Sequence, residues 1–155
     1  MLIVIRDYVE EDAEVLWKLF FNTVRNINRR DYSQSQVEAW ASDSYNSEYW
    51  PKRMNGLSPF VAEMDSVIVG YTDLQENGLI DHFFCHHEYQ GQGVGRALMN
   101  HVLELGKSRG LQRFYSEVSI TARPFYEHMG FQVVEEKLEE MNGQYLKYYL
   151  VDLIK

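Results

Sequence analysis

A glycine-rich segment in the second half of the chain, QGQGVGR at residues 90–96, has the residue types that most clearly predict chemistry. Glycines let backbone N–H groups approach a ligand without interference from a Cβ atom. The segment lies where a predicted strand ends and a predicted helix begins. A helix N-terminus adds unpaired N–H groups and the positive end of the helix dipole. The segment therefore predicts a cradle for a phosphate or pyrophosphate group.

Two common phosphate-binding patterns do not match this segment. A P-loop requires its last glycine to be followed by lysine and then serine or threonine, and no glycine of the segment is followed by that lysine. The dinucleotide-binding pattern requires a third glycine three residues after the second, but those positions hold Arg96 and Leu98. The spacing that does fit is Gln90-x-x-Gly93-x-Gly95.

This spacing resembles the acetyl-CoA motif of the GCN5-related N-acetyltransferase (GNAT) superfamily, Arg/Gln-x-x-Gly-x-Gly/Ala. Residues 122–131, ARPFYEHMGF, resemble the superfamily's second signature, Ala-x-x-x-Tyr-Glu-x-x-Gly-Phe, which closes the cofactor site. With both segments in the correct order and spacing, the chain is identified as a member of this superfamily. A closer resemblance, to the bacterial YafP-like acetyltransferases, is carried by Asn28, Asp31, Tyr32, Ser33, Gln36, Trp40, Ile80, Asp81 and residues 122–125.

The pattern of apolar residues predicts the elements that must position these motifs. Strands are predicted at 2–8, 60–64, 67–71, 79–85, 114–118, 131–137 and 145–153, with a hairpin at Asn142-Gly143 between the last two. Helical spacing predicts helices over 13–27, from Ser33 onward, over 93–109 and over 121–129. Residues 43–57 show no clean period. The predicted order, β-α-α-β-β-β-α-β-α-β-β, is that of a mixed α/β domain.

The resemblance implies that residues 1–155 form a single GNAT N-acetyltransferase domain with the acyl-CoA N-acyltransferase fold. That fold is α/β with a mixed (α+β) sheet. Its central, mostly antiparallel sheet of about seven strands opens in a V-shaped splay between strands 4 and 5, and about four helices flank it.

The same resemblance implies acetyl-CoA as co-substrate and assigns the residues that hold it. The backbone N–H groups of residues 92–96 would hold the pyrophosphate. The backbone of Cys85 would pair with the pantetheine arm, while its side chain is expected to be a small buried hydrophobe. Ser119 occupies a position where the superfamily often has an asparagine that contacts this arm. The implied cofactor site comprises Phe83, Cys85, Gln90, Gly91, Gln92, Gly93, Val94, Gly95, Arg96, Ser119 and Tyr126.

Acetyl transfer to a primary amine requires one proton to be removed and another to be supplied. An alkylammonium group, with a pKa of about 10, must lose a proton before it attacks, and a carboxylate can accept that proton through water. Asp81 occupies a strand position where some members carry a glutamate base. Binding of the substrate by Asp81 and a base role for Glu117 stay open as alternatives. By resemblance, Tyr126 protonates the departing thiolate.

Side chains alternate between the two faces of a strand, which gives a further expectation for the predicted strand 79–85. Residues 81, 83 and 85 should share one face, and His82 should face the opposite side. His82 and His86 would be about 13 Å apart on an extended strand, too far to share one ion, so no metal site is expected.

The amino-acid composition limits the classes of partner that this chain is expected to bind. The 15 basic and 23 acidic residues give a net charge of −8, which disfavours nucleic acid and weakly favours a cationic amine as acceptor. No apolar run approaches the roughly 18 residues of a membrane span, so a cytoplasmic protein without a membrane partner is expected. The sequence does not identify the amine, whether of a small molecule or a peptide. The resemblance also implies a homodimer, which many members of the superfamily form. A non-catalytic acyl-CoA-binding module is the alternative function.

Overall fold

The strands form two antiparallel sheets that meet at a single point. The computed structural model describes residues 2–155. The first sheet has the order β1-β2-β3-β4 and the second has the order β5-β7-β6. The strands are β1 (Ile3–Asp7), β2 (Phe60–Met64), β3 (Val67–Thr72), β4 (Phe83–Cys85), β5 (Arg113–Ser119), β6 (Gln132–Met141) and β7 (Gln144–Ile154). The helices are α1 (Ala13–Asn26), α2 (Gln34–Trp40), α3 (Tyr49–Leu57), α4 (Val94–Ser108) and α5 (Arg123–His128).

The two sheets are joined where the chain approaches β4. Leu79 forms a parallel bridge with Tyr115 of β5, and the N–H of Ile80 donates to the Tyr115 carbonyl at 2.9 Å. After this bridge β4 pairs with β3, whereas β5 pairs with β7. The two strands therefore diverge, which confirms the predicted mixed α/β fold with seven strands and a splay between the fourth and the fifth.

Helices cover both faces of the first sheet. On one face, Val61 and Tyr71 pack with the buried residues of α1 and α3, and on the other, Ala62 and Val69 pack with those of α4. Gly70 of β3 allows the start of α4 to approach closely, because a Cβ atom there would lie 2.9 Å from Val94 Cγ1. This contact fixes the N-terminus of α4 against the sheet beside the splay.

Helix α3 was not predicted and is a fifth helix where about four were expected. Its buried side chains are Trp50, Met54 and Leu57, which follow the helical spacing i, i+4, i+7. Trp50 Nε1 donates a 2.8 Å hydrogen bond to the Ala13 carbonyl, which ties the helix to the beginning of α1.

The hairpin between β6 and β7 turns at Asn142 and Gly143, as predicted. Both residues have positive φ angles, 47° and 84°, which suit the tight turn that connects two twisted strands. Among residues 2–155, no helix combines the length and the apolar character needed to cross a membrane.

Candidate active site

The glycine-rich segment forms the entrance to α4. Gly91 and Gly93 have φ angles of 74° and 87°, a left-handed conformation that glycine adopts without steric cost. A Cβ atom at either glycine would meet nothing within 4 Å, so the space beside them is open. The Gln90 side chain anchors the segment to the end of β4, because its Nε2 donates to the carbonyls of Cys85 at 3.0 Å and His86 at 3.2 Å. The unpaired N–H groups of a helix N-terminus favour an anionic group in such a space.

A cavity of about 400 Å³ lies beside this segment, and we call it the cofactor cavity. Nine of the residues that the sequence assigned to the cofactor line it: Phe83, Cys85, Gln90, Gly91, Gly93, Val94, Gly95, Arg96 and Ser119. Gln92 and Tyr126 were assigned to the cofactor but do not line it. Sequence reasoning missed other lining residues, among them Thr23 and Asn28, which come from the far end of α1 and its following turn.

Cys85 has the surroundings of an inert thiol. Its Sγ lies against Gly95 of α4, and burial raises the pKa of the thiol to about 12, so the group is protonated and weakly nucleophilic at neutral pH. Its backbone carbonyl accepts hydrogen bonds from Thr23 Oγ1 at 2.8 Å and from Gln90 Nε2 at 3.0 Å. A pantetheine amide that used this carbonyl would therefore displace the Gln90 side chain.

A second cavity, of about 560 Å³, opens on the other side of the splay, and we call it the acceptor cavity. Its lining is rich in aromatic side chains: Trp17, Phe20, Tyr32, Trp40, Tyr49, Trp50, Phe84 and Tyr148. Phe84 and Ser119 line both cavities, so the two spaces meet between β4 and β5. Ser119 is held at this junction because its Oγ accepts from Asn28 Nδ2 at 3.2 Å and from the Ala122 N–H at 3.0 Å.

Asp81 and His82 both line the acceptor cavity, so the prediction that they face opposite sides is wrong. The cause is Asp73, a fully buried residue just after β3. Its Oδ1 accepts hydrogen bonds from the backbone N–H groups of Asp81 at 3.0 Å and His82 at 2.7 Å. Thr72 Oγ1 also donates to the His82 carbonyl at 2.8 Å. These bonds hold residues 81–82 outside β4, where strand alternation does not apply.

The two carboxylates considered as bases both lie in the acceptor cavity, and each has a cationic neighbour. Asp81 Oδ2 accepts from the Arg53 guanidinium of α3, an ion pair between two half-exposed side chains. Glu117 Oε2 accepts from Lys137 Nζ at 3.3 Å. The second oxygen of Asp81 has no side-chain donor among residues 2–155, whereas the Tyr148 hydroxyl lies beside the Glu117 carboxylate as a further hydrogen-bond partner.

One ring nitrogen of His82 forms a hydrogen bond with a buried tyrosine of the core. Its Nδ1 lies 3.1 Å from the hydroxyl of Tyr71, a side chain with no exposed surface. A buried phenol proton needs an acceptor, and Nδ1 is its hydrogen-bond partner within the described chain. Burial lowers the pKa of the imidazole to about 4, so the ring is neutral at pH 7.

Tyr126, the expected acid, is 1% exposed and lines neither cavity. Its ring packs against Phe83 and Phe131, with ring centroids 5.8 Å and 5.1 Å away, and its hydroxyl lies 3.4 Å from Ser116 Oγ. Burial raises the pKa of the phenol, so it holds its proton at neutral pH. Of its neighbours, Phe83 faces the cofactor cavity.

The side chains of two histidines that follow β4, His86 and His87, line neither cavity. The rings of His86 and His87 stack with centroids 4.8 Å apart, and their nitrogens and the Glu88 carboxylate lie within 4.8 Å of one another. This group of three does not include His82, and the expectation of no metal site stays a prediction.

The chain matches the family model for an acetyltransferase (GNAT) domain over residues 28–150. It belongs to the GNAT acetyltransferase family. Within this family it is 30% identical to the uncharacterized N-acetyltransferase YafP of Escherichia coli strain K12, over 90% of the chain and 87% of that protein. The YafP-like resemblance seen in the sequence is thereby confirmed.

Solved GNAT structures share the fold described above. A GCN5-related N-acetyltransferase of Rhodopseudomonas palustris superposes with a TM-score of 0.92 at 26% identity, covering 100% of this chain and 99% of that one. The PaiA N-acetyltransferase of Thermoplasma acidophilum, solved in complex with coenzyme A, has a TM-score of 0.75 at 20% identity and covers both chains completely.

Proposed function

We propose that this GNAT protein transfers the acetyl group of acetyl-CoA to a primary amine while both substrates are bound. The observation that carries the proposal is the meeting of two cavities at Phe84 and Ser119, in the splay between β4 and β5. A thioester that enters from the cofactor cavity can reach an amine in the acceptor cavity without a protein-bound intermediate. The high pKa of the Cys85 thiol, about 12, is consistent with direct transfer.

The chain's own groups would bind the CoA diphosphate. The N–H groups at the start of α4 point along the helix axis toward the open space beside Gly91 and Gly93, and the helix dipole favours negative charge there. When bound, acetyl-CoA supplies an activated acyl group as a thioester. The residues at the junction of the cavities then hold that group beside the acceptor, which lowers the entropic cost of bringing the reactants together.

Proton removal from the ammonium group falls to Asp81 or Glu117 in this proposal. Both carboxylates line the acceptor cavity; Asp81 keeps one oxygen without a side-chain donor in the described chain, whereas Glu117 has both Lys137 and Tyr148 as partners. Either can accept a proton through a bound water. Asp81 is our first choice, because Asp73 holds its backbone in place, whereas Glu117 lies on a half-exposed strand face.

Tyr126 is the proposed acid for the CoA thiolate. The buried phenol stays protonated, as an acid must, and the same dry surroundings would raise the proton affinity of a thiolate that enters them. Tyr126 packs against Phe83, a wall of the cofactor cavity, so its ring lies directly behind that wall.

The proposal is tested by CoA release with a panel of primary amines, followed by the same assay on Tyr126→Phe. We expect CoA release that depends on an amine, and a fall of about 10²-fold or more in kcat for the variant, with CoA affinity unchanged. Unchanged turnover in Tyr126→Phe would refute the acid role. Tight CoA binding without acetylation of any amine would favour a non-catalytic acyl-CoA-binding module.

A further inference from the structure

One end of the acceptor cavity carries an unusual set of polar groups. Asp81, Arg53 and His82 lie together there, between α3 and the beginning of β4. One is an anion, one is a cation and the third is a neutral imidazole. The Trp50 ring packs beside this group, with its centroid 6.1 Å from that of the His82 ring.

The hydrogen atom of the His82 imidazole can be placed from its surroundings. Tyr71 has no exposed surface, and the partner of its hydroxyl within residues 2–155 is His82 Nδ1, at 3.1 Å. The phenol therefore donates, and Nδ1 carries no proton. In a neutral imidazole the other nitrogen must then be Nε2–H. This donor has no partner in the described chain and belongs to a ring that lines the cavity.

Arg53 also has unused donors. A guanidinium group has five N–H bonds, and one nitrogen, Nη2, contacts Asp81 Oδ2. A simple alkylammonium ion that binds Asp81 would have to share this carboxylate with Arg53 and would offer the guanidinium nothing. A ligand that carries both an ammonium and a carboxylate group supplies a partner to each member of the pair. Planar, paired N–H groups also match the geometry of a carboxylate.

Resting on the proposed function, we propose that the acetyl acceptor is an α-amino acid with a large apolar side chain. Its carboxylate is bound by Arg53 and by His82 Nε2–H, its amino group lies at Asp81, and its side chain packs among the aromatic rings of the acceptor cavity. Asp73 and Tyr71 are positioning residues, since the first places the backbone of residues 81–82 and the second fixes the tautomer of His82. The amine nitrogen forms a bond to the thioester carbon while the C–S bond breaks, its proton passes through water to Asp81 or Glu117, and the CoA thiolate takes a proton from Tyr126 and leaves as a thiol.

The test uses matched compounds that differ only beside the amine. Phenylalanine, phenylalaninamide and phenethylamine form one series, and leucine, leucinamide and isopentylamine form the second. With saturating acetyl-CoA, we expect kcat/KM for the amino acid to exceed that for the decarboxylated amine by about tenfold in at least one series, with the amide between them. The amide keeps an oxygen for His82 but has no charge for Arg53. If the decarboxylated amine is equal or better in both series, the inference is wrong while the proposed function stands.

Variants link the preference to the named groups. Arg53→Gln should reduce the ratio of kcat/KM between amino acid and decarboxylated amine by about tenfold. Lys52→Gln, an exposed neighbour on the same helix, is the matched control and should keep the ratio. The double variant Tyr71→Phe/His82→Phe removes the donor without leaving a buried hydroxyl unpaired, and it should also reduce the ratio. An unchanged ratio in Arg53→Gln would overturn the inference.

Two readouts do not depend on turnover. Calorimetry on the CoA-loaded protein should rank the affinities of the same compounds in the same order, and no binding of either amino acid would contradict the inference. Long-range proton–nitrogen NMR should show His82 protonated at Nε2 and unprotonated at Nδ1, with the tautomer populations altered in Tyr71→Phe. A proton on Nδ1 in the parent protein would also overturn it.

Discussion

Replacing Asp73 by alanine should destabilise the protein and disorganise one end of the acceptor cavity. Asp73 is fully buried, and its Oδ1 is the acceptor for two backbone N–H groups, those of Asp81 and His82. Its Oδ2 accepts a further hydrogen bond from Gln75 Nε2 at 2.6 Å.

The expected loss of stability follows from the two backbone N–H groups that Asp73→Ala leaves without an acceptor. An unsatisfied buried donor costs about 1–3 kcal/mol, so two backbone N–H groups predict a loss of about 2–6 kcal/mol in the free energy of unfolding. Asp73→Asn keeps an amide oxygen for these N–H groups and should cost about 1 kcal/mol or less at neutral pH. The comparison of the two variants therefore separates the acceptor function of Asp73 from its charge.

Urea unfolding, followed by tryptophan fluorescence, measures both values. A second effect is expected in Asp73→Ala: KM for the amine should rise, because Asp81 and His82 are no longer held in the cavity, while KM for acetyl-CoA stays the same. Destabilisation of Asp73→Ala by less than about 1 kcal/mol would refute the reasoning. Equal losses in Asp73→Ala and Asp73→Asn would show that the charge, and not the hydrogen bonds, matters.

Two further predictions concern the pH dependence of stability and the glycine-rich segment at residues 90–96. Burial raises the pKa of Asp73 from the usual 3.8 to about 6, so the folded state holds the proton more tightly than the unfolded state. The stability of the parent relative to Asp73→Asn should therefore fall by roughly 2–3 kcal/mol as pH rises from 4 to 7, and parallel pH profiles in urea unfolding would contradict this. Gly93→Ala should weaken CoA binding in calorimetry by about tenfold, because alanine disfavours the positive φ of 87° by about 1–2 kcal/mol. Gly56→Ala in α3, where φ is ordinary and space is open, should leave CoA affinity unchanged. Equal losses of CoA affinity in the two variants would show that the positive φ of Gly93 is not needed for binding.

Much of the fold follows from local sequence signals. The glycine spacing from Gln90 to Gly95 and the turn at Asn142-Gly143 depend on backbone conformations that few residues adopt, so they can be recognised without the structure. Helix α3 could also have been found, because Trp50, Met54 and Leu57 have helical spacing. The polar residues between them and the proline in the first turn obscured it.

The arrangement of the acceptor cavity depends on contacts that are distant in sequence. The orientation of Asp81 and His82 is set by Asp73, across a loop, and strand periodicity alone gives the wrong face for His82. The pairing of Asp81 with Arg53 joins α3 to the start of β4, and no local pattern encodes it. This ion pair also alters the inference from the net charge of −8, since the acid at this end of the cavity already has a cationic partner.

The central claim is that donor and acceptor occupy two connected cavities at the same time. Initial rates measured while acetyl-CoA and the best amine of the panel are both varied test it most directly. Simultaneous occupation predicts double-reciprocal lines that intersect. Parallel lines would show that the acetyl group is first transferred to the protein and would contradict the account.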